Sequence, residues 1–312
     1  MIKVLSYKRG KFKKADFNKL NLIREMCWID VVSPDSNELK KISNKLGVSI
    51  IDLENSLDKR EVPRIFNRKD YSGFIFRASI KNNTLPFGMY LGKKFVLTVR
   101  NPGIKSINQF STKIQKRDNS AVFDKEIPDF VYNLLSSVVK EFSIVLDEIE
   151  NKLEILENKT IRIKEEDPVE AVFVFKRNLL LFRRSLNENK EVVSKIESNE
   201  LKFLQQKNQI LFSNLHVEIN QLINIAELYR ERTISITDLH ISNISNRLND
   251  VMKSFSVIAA LLLLPTLLSG IWGMNFARIP WYDHPYGFYF PIILMLLSMI
   301  LLFIFFKAKK WI

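Results

Sequence analysis

Two long uncharged segments in the last quarter of the chain constrain its fold more than any other feature. Residues 254–277 and 285–306 contain no Asp, Glu, Lys or Arg. At about 1.5 Å per helical residue, each segment is long enough to cross a hydrocarbon layer of roughly 30 Å. A buried helix of this length in a soluble protein would be expected to carry a polar face, which neither segment has along its full length. We therefore predict two transmembrane helices in a lipid bilayer.

The charges around these segments predict their orientation. The chain has a formal net charge of +13. Basic residues flank both segments on one side, whereas the connecting loop carries only Arg278 and Asp283. Lys and Arg concentrate in cytoplasmic segments, so we expect a multi-pass cell-membrane protein with both termini in the cytoplasm. Excess positive charge also fits nucleic-acid binding, but acids are interspersed and no recognition motif is present, so no nucleic-acid partner is expected.

The first part of the chain has the pattern of a mixed α/β domain. Segments with alternating or β-rich composition predict strands at 3–8, 27–32, 71–80 and 92–100. Between them, residues 33–47 predict a helix with Asp35 or Ser36 as its N-cap and Gly47 at its end. We expect a cytoplasmic sheet covered by short helices over residues 1–125.

The middle of the chain has the pattern of very long helices. From Val131 to Leu156, apolar residues recur every three or four positions, which predicts one helix with a single apolar stripe. Residues 169–264 then lack both Gly and Pro, which permits an antiparallel return and a stalk. We predict a long-helix region at 126–253, a first span at 254–274, a loop at 275–286, a second span at 287–306 and a basic tail at 307–312.

One face of the first span carries small and polar side chains. Its members fall at spacings of three and four: Ser256, Ala259, Leu263, Thr266, Gly270 and Gly273. The face continues to Asn249 and Met252 on one side and to Asn275 on the other. Small residues also occur where membrane helices pack closely, and asparagines also set the register of coiled coils. A face that is polar at both ends and narrow in the middle favours a pore shared by several copies.

A Gly-Met-Asn triplet ends this face. Gly273, Met274 and Asn275 are preceded by Trp272 and followed by Phe276. The triplet resembles the signature of the CorA family of magnesium and cobalt transporters. The stretches "NDVMK", "LLLLPTLLSGIWGMNF" and the terminal "KAKKWI" also resemble that family in order and spacing. The resemblance covers the whole chain in architecture and is most specific over 249–312.

The resemblance implies an architecture and a function. The architecture is a funnel-shaped homopentamer, in which each copy has an α/β cytoplasmic domain, very long α-helices and two C-terminal transmembrane helices. The function is potential-driven influx of hydrated Mg²⁺, with Co²⁺ and Ni²⁺ as further ions, gated by intracellular Mg²⁺. Mg²⁺ is then both the transported and the regulatory ion, and neither an organic cofactor nor an enzymatic activity is expected.

The same resemblance implies roles for individual residues. Asn275 supplies a ring of amides at the outer mouth, where Gly273 and Met274 shape the turn. The pore is lined by Asn249, Met252, Phe255, Ser256, Ala259, Leu263, Thr266 and Gly270. Among these, Met252 and Phe255 stand at the hydrophobic constriction. The basic collar of the inner mouth is formed by Lys307, Lys309 and Lys310.

The regulatory metal site departs from the family pattern. In the family, acidic residues between cytoplasmic domains bind regulatory Mg²⁺, but the stalk acid falls near Asn214 in this chain. A neutral amide is a weaker Mg²⁺ ligand than a carboxylate. Glu218, one turn later, is a substitute, and Asp124 or Glu126 are candidates to face it.

Two alternatives to a magnesium channel stay open. A zinc or other divalent-cation transporter of the same superfamily would share the fold and the triplet. A membrane-anchored structural or sensor protein would use the two spans only as an anchor. An enzyme is not expected, because the three histidines at 216, 240 and 284 lack zinc-ligand spacing. Cys27, beside Trp28, fits a position in the core.

Overall fold

The structure is a computed structural model that describes residues 1–8, 11–20, 26–116, 127–161, 168–204, 209–275 and 284–311. The chain divides into two compact units, Met1–Thr237 and Asp238–Ile312. The strands are β1 (Ile2–Lys8), β2 (Lys11–Lys14), β3 (Met26–Val32), β4 (Arg64–Asn67), β5 (Ser72–Ile80), β6 (Asn83–Leu91) and β7 (Phe95–Arg100). The helices are α1 (Ser36–Leu46), α2 (Ile50–Asn55), α3 (Lys105–Lys116), α4 (Ile127–Ile161), α5 (Val169–Glu197), α6 (Gln209–Trp272) and α7 (Tyr289–Ala308).

The strands form one sheet with a core on each face. Their order is β2-β1-β3-β7-β6-β5-β4, and β3 pairs with β7 in parallel while the other neighbours are antiparallel. Successive side chains of a strand point to opposite faces. Trp28 therefore joins the core shared with α3, α4 and α5, whereas Cys27 and Ile29 join the core shared with α1 and α2. The expected sheet covered by helices is confirmed.

Helix α1 begins and ends where the sequence predicts. The Asp35 side chain accepts a hydrogen bond from the Glu38 backbone N–H at 2.7 Å, and the Glu38 carboxylate accepts one from the Asp35 N–H at 3.3 Å. This reciprocal pair is a capping box, so the N-cap is Asp35 and Ser36 is the first helical residue. Gly47 ends the helix with φ +70°, which glycine adopts without a steric penalty.

A buried ion pair joins the two parallel strands. Arg100 on β7 donates to Asp30 on β3 through Nε at 2.9 Å and through Nη2 at 2.8 Å. Nη2 also donates to the Asn108 side chain of α3 at 2.7 Å. Both charged side chains are almost completely buried. Removal of one partner would leave the other charge buried without compensation, so loss of either side chain alone would be strongly destabilising.

Ion pairs connect the long helices, and an asparagine follows the end of α5. Arg232 of α6 binds Glu157 of α4 at 2.7 Å, and Arg183 of α5 binds Glu227 of α6 at 3.1 Å. Helix α5 ends without a Gly or Pro, because Asn199 takes a left-handed conformation with φ +58° and its backbone N–H donates to Ile196 O. The predicted long helices are confirmed, and an asparagine in the left-handed conformation follows the end of α5.

The second unit contains two apolar helical segments. The last part of α6 and the whole of α7 are long and apolar enough to cross a membrane by length and composition. Trp272, at the end of α6, lies 6.0 Å from Phe290, at the start of α7, between ring centroids. This contact joins the end of one segment to the beginning of the next.

Candidate functional site

The side chains predicted to line a pore are all exposed on α6 in the single chain. Most of them repeat at intervals of seven residues, in two series. One series is Asn249, Ser256, Leu263 and Gly270, and the other is Met252, Ala259, Thr266 and Gly273. Phe255 lies at the edge of the same face. We call this set the pore face.

The middle of the pore face borders a shallow, open groove. A groove of about 660 Å³ runs along it, with a lining of Ala259, Leu262, Leu263, Thr266, Leu267, Gly270, Ile271 and Met274. Ala259 and Gly270 leave room because their side chains are minimal. A Cβ atom added to Gly270 would have no neighbour within 4 Å. The space in front of this part of the helix is therefore open.

The hydroxyl groups on the pore face are oriented as hydrogen-bond acceptors. Thr266 Oγ1 donates to the Leu262 carbonyl at 2.7 Å, and Ser256 Oγ donates to the Met252 carbonyl at 2.8 Å. Because each hydroxyl proton is used within the helix, the oxygen lone pairs are left to accept hydrogen bonds from other groups. Water around a cation presents its hydrogens outward, so these oxygens suit a hydrated cation.

The Gly-Met-Asn triplet forms the last turn after α6. The Gly273 N–H donates to the Ser269 carbonyl at 2.9 Å, and the Met274 N–H donates to the Ile271 carbonyl at 3.3 Å. The helical bonding thus continues to Met274. Asn275 follows with its side chain exposed, so its amide oxygen is available as an acceptor at the end of the pore face.

Comparison with known proteins decides the family. The family model described as CorA-like Mg2+ transporter protein matches residues 24–309. The chain belongs to this family. It is 28% identical over 305 residues to the cobalt/magnesium transport protein CorA of Methanocaldococcus jannaschii, covering 97% of this chain and 95% of that protein. It is 22% identical over 316 residues to the protein of the same description from Thermotoga maritima, covering 96% and 88%.

A solved structure supports the same assignment. The complete structure of the CorA magnesium transporter from Methanocaldococcus jannaschii aligns with a TM-score of 0.90 at 26% identity, over 100% of this chain and 99% of that one. The predicted resemblance to CorA and the predicted fold class are confirmed. CorA-like proteins are a transporter family and not an enzyme family, and the zinc alternative is not favoured. Cys27 is fully buried in the core, as predicted.

The described residues do not form the regulatory metal site that the resemblance to CorA predicts. Across the described ranges, no group of three or more His, Cys, Asp and Glu side chains could hold a metal ion. Asn214 is exposed on α6, and Glu218 is half-buried one turn later. Burial raises the pKa of Glu218, and Lys140 of α4 partly offsets the rise. Asp124 and Glu126 lie outside the described residues.

The lysines predicted to form a basic collar lie at the end of α7, and Trp311 follows them. Lys307, Lys309 and Lys310 are exposed there. Trp311, to which the sequence assigns no role, shares a groove of about 490 Å³ with Asn246, Asn249, Asp250, Met252, Lys253 and Ser256 of α6. The sequence contains one indication of its role, because Trp311 lies five residues after Phe306. This is the spacing of the two apolar residues that contact each other in a Schellman motif at a helix C-terminus.

Proposed function

We propose that this CorA-like protein carries hydrated Mg²⁺ into the cell through a pore lined by the pore face of α6. The observation that carries the proposal is the exposed small and polar face that ends at Asn275. Mg²⁺ gives up its waters reluctantly and usually keeps several of them. Amide and hydroxyl oxygens can accept hydrogen bonds from those waters without replacing them. Such binding is weak enough for release, which conduction requires.

Each part of the pore has a proposed role. Asn275 forms the outer mouth, with Gly273 and Met274 shaping its turn. Met252 and Phe255 form a hydrophobic constriction. Asn249 and Thr266 form polar rings in the pore, one on each side of this constriction along α6. The collar lysines stand at the inner mouth. A single helix cannot enclose a conduit, so the pore requires several copies, and we propose a homopentamer.

The proposed topology places both termini in the cytoplasm of a cell-membrane protein. Residues 254–274 and 287–306 cross the bilayer, and the loop at 275–286 is external. Residues 1–125 form the cytoplasmic α/β domain, residues 126–253 form the long-helix region, and residues 307–312 form the basic tail. The support is the concentration of Lys and Arg on one side of the two spans.

The proposed driving force is the membrane potential. Moving one elementary charge through 100 mV is worth about 2.3 kcal/mol, hence roughly 4.6 kcal/mol for a divalent cation. This energy suffices for uptake without nucleotide hydrolysis. Co²⁺ and Ni²⁺ are proposed as further ions, and intracellular Mg²⁺ as the gating ligand, with Asn214, Glu218, Asp124 and Glu126 as candidates for its site.

Uptake into proteoliposomes tests the proposal. The liposomes contain a Mg²⁺-sensitive dye and have an inside-negative potential, and the native protein is compared with Asn275→Ala. We expect potential-driven Mg²⁺ uptake that largely disappears in this variant. Asn224→Ala removes an exposed amide from the same helix far from the triplet, and should retain uptake. Native uptake that Asn275→Ala leaves unchanged would remove the triplet from the mechanism. No uptake by folded native protein would favour another ion or a membrane anchor.

A further inference from the structure

Helix α7 ends in a complete capping motif. Lys310 takes a left-handed conformation with φ +57°. Its backbone N–H donates to the Lys307 carbonyl at 3.1 Å, and the Trp311 N–H donates to the Phe306 carbonyl at 3.0 Å. These two bonds define the Schellman motif, which satisfies carbonyls at a helix end and turns the chain. A left-handed conformation is unfavourable for a residue with a Cβ atom, so other contacts must stabilise the turn at Lys310.

The side chain of Trp311 supplies such a contact. Its ring stacks on Phe306, with centroids 5.7 Å apart and an interplanar angle of 24°. Phe306 is itself buried, with 8% of its surface exposed. An apolar contact between these two positions commonly accompanies a Schellman motif. The stacked pair therefore holds the turn that carries the last two collar lysines.

The capped end of α7 lies beside the inner part of the pore face. The groove that Trp311 shares with α6 is also lined by Asn249, Met252 and Ser256, all three of which belong to that face. Lys253 and Asp250 in the same groove form an ion pair at 3.0 Å. The cap thus brings the collar lysines and the inner end of the pore face into one region of the second unit.

We propose that Trp311 is a positioning residue for the basic collar. By stacking on Phe306 beside the groove that it shares with α6, it keeps the lysines of the last turn at the inner mouth, where their positive charge slows the exit of a divalent cation. Fixed charge at a mouth changes the local concentration and passage of ions of either sign. The inference rests on the proposed pore, because a collar affects flux only if the cation leaves beside it.

Hydrogen exchange tests the cap without any transport measurement. In native protein in lipid nanodiscs, we expect the amides of residues 310 and 311 to be protected, because both donate to carbonyls. Trp311→Ala should lose this protection, and Trp311→Phe should keep most of it because an aromatic ring can still stack. Phe303→Ala truncates an exposed aromatic of the same helix and should leave exchange at these amides as in the native protein. Native-like protection in Trp311→Ala would overturn the inference.

A double-mutant cycle on Mg²⁺ flux tests the consequence for transport. Lys310→Gly removes a charge while glycine suits the left-handed turn. We expect Lys310→Gly and Trp311→Ala each to raise the Mg²⁺ flux roughly two- to fivefold, the scale of an exposed charge interaction. The double variant should have a Mg²⁺ flux only slightly higher than that of the single variant with the larger effect, because both changes act through the collar.

Four outcomes would overturn part of this account, and they are distinguishable. Native flux in Trp311→Ala, or effects that multiply independently, would overturn the positioning role alone. An equal rise in flux in Phe303→Ala would show a general effect of aromatic truncation and would also overturn it. Absence of Mg²⁺ flux in the native protein would overturn the proposed function, and with it the role of the collar, whatever the exchange experiment shows for the cap.

Discussion

Asn275 presents a neutral oxygen where a carboxylate would bind a divalent cation more tightly. Its exposed amide follows the last helical bond of the triplet at Met274. A neutral acceptor favours contact with the waters around Mg²⁺, and a ring of carboxylates would add several negative charges at the same point. The choice of amide therefore favours fast passage over tight binding.

Asn275→Asp should bind Mg²⁺ more tightly and pass it more slowly. We expect the external Mg²⁺ concentration at half-maximal uptake to fall, because carboxylates attract the divalent ion, and the maximal uptake rate to fall with it, because release is slower. Asn275→Gln keeps the amide and serves as the matched control. Uptake measured over a range of external Mg²⁺ concentrations separates the two quantities. A higher maximal rate in Asn275→Asp would contradict this account.

Asp52, in the unit Met1–Thr237, is a carboxyl whose protonation is coupled to the fold. Arg68 donates to its two carboxylate oxygens at 3.0 Å, and the Tyr71 hydroxyl donates at 2.6 Å. Burial opposes ionisation, but these hydrogen bonds outweigh it and hold the pKa of Asp52 below its usual value. A carboxyl with a lowered folded-state pKa stabilises the fold above its unfolded pKa, and the contribution is lost as pH falls through the folded value.

The stability of the native protein should therefore fall in acid more steeply than that of Asp52→Asn. We expect Asp52→Asn to be less stable at neutral pH, because an amide cannot replace the charged acceptor. As pH falls below about 4, the ordinary value for aspartate, the difference in stability should shrink, and it should vanish once pH is below the lowered folded-state pKa. Thermal unfolding of both full-length proteins in the same detergent, from pH 7 to pH 3, measures the difference. Parallel curves over that whole range would show that this carboxyl does not carry the acid sensitivity.

At the scale of the element, α6 carries a second seven-residue repeat that adjoins the pore face and shares Phe255 with it. Exposed apolar residues recur at Ile241, Leu248 and Phe255 and, three positions later, at Ile244, Val251 and Ile258. An apolar pattern with this period is typical of helices that associate in a left-handed supercoil. Because the two repeats have the same period, one supercoil would keep each of them on a constant side of the helix along its length. We call the apolar repeat the seam.

Leu248→Glu should disrupt association between copies. Leu248 is 60% exposed in the single chain, and a buried carboxylate in each copy of a packed seam would be costly. Asn246→Glu introduces the same charge two residues earlier, on the other side of the helix, and serves as the control. We expect a smaller particle for Leu248→Glu alone, with the mass of each protein in detergent measured by light scattering. An unchanged mass for Leu248→Glu would place the interface elsewhere.

Helices were easier to predict from sequence than the sheet. The capping residues of α1 and the apolar stripe of α4 depend on near neighbours, so the sequence predicts both. Strand β6 was missed because Pro86 and Gly88 interrupt its pattern. The parallel pairing of β3 with β7 joins residues about 70 apart, through contacts such as Trp28 Nε1 to Thr98 Oγ1 at 3.2 Å. Local patterns contain no information about such a partner.

At the scale of the whole molecule, a single chain defines the pore face better than it defines the predicted regulatory metal site. The pore face follows from the period of a single helix, so the sequence places its residues and the structure shows them exposed together. A site built from several copies leaves each chain with an incomplete set of ligands. The predicted regulatory site is less defined, since neither the burial of Glu218 nor the neighbouring cation Lys140 identifies a metal site in the single chain.

Accessibility of the pore face during transport is the most direct test of the central claim. Thr266→Cys and Leu268→Cys introduce thiols at nearly the same depth of α6 but on opposite sides of the helix, and the native Cys27 is buried. A positively charged thiol reagent is added to proteoliposomes during Mg²⁺ uptake. The account predicts that uptake stops in Thr266→Cys and continues in Leu268→Cys. Block at residue 268 with none at residue 266 would show that the ion follows another path.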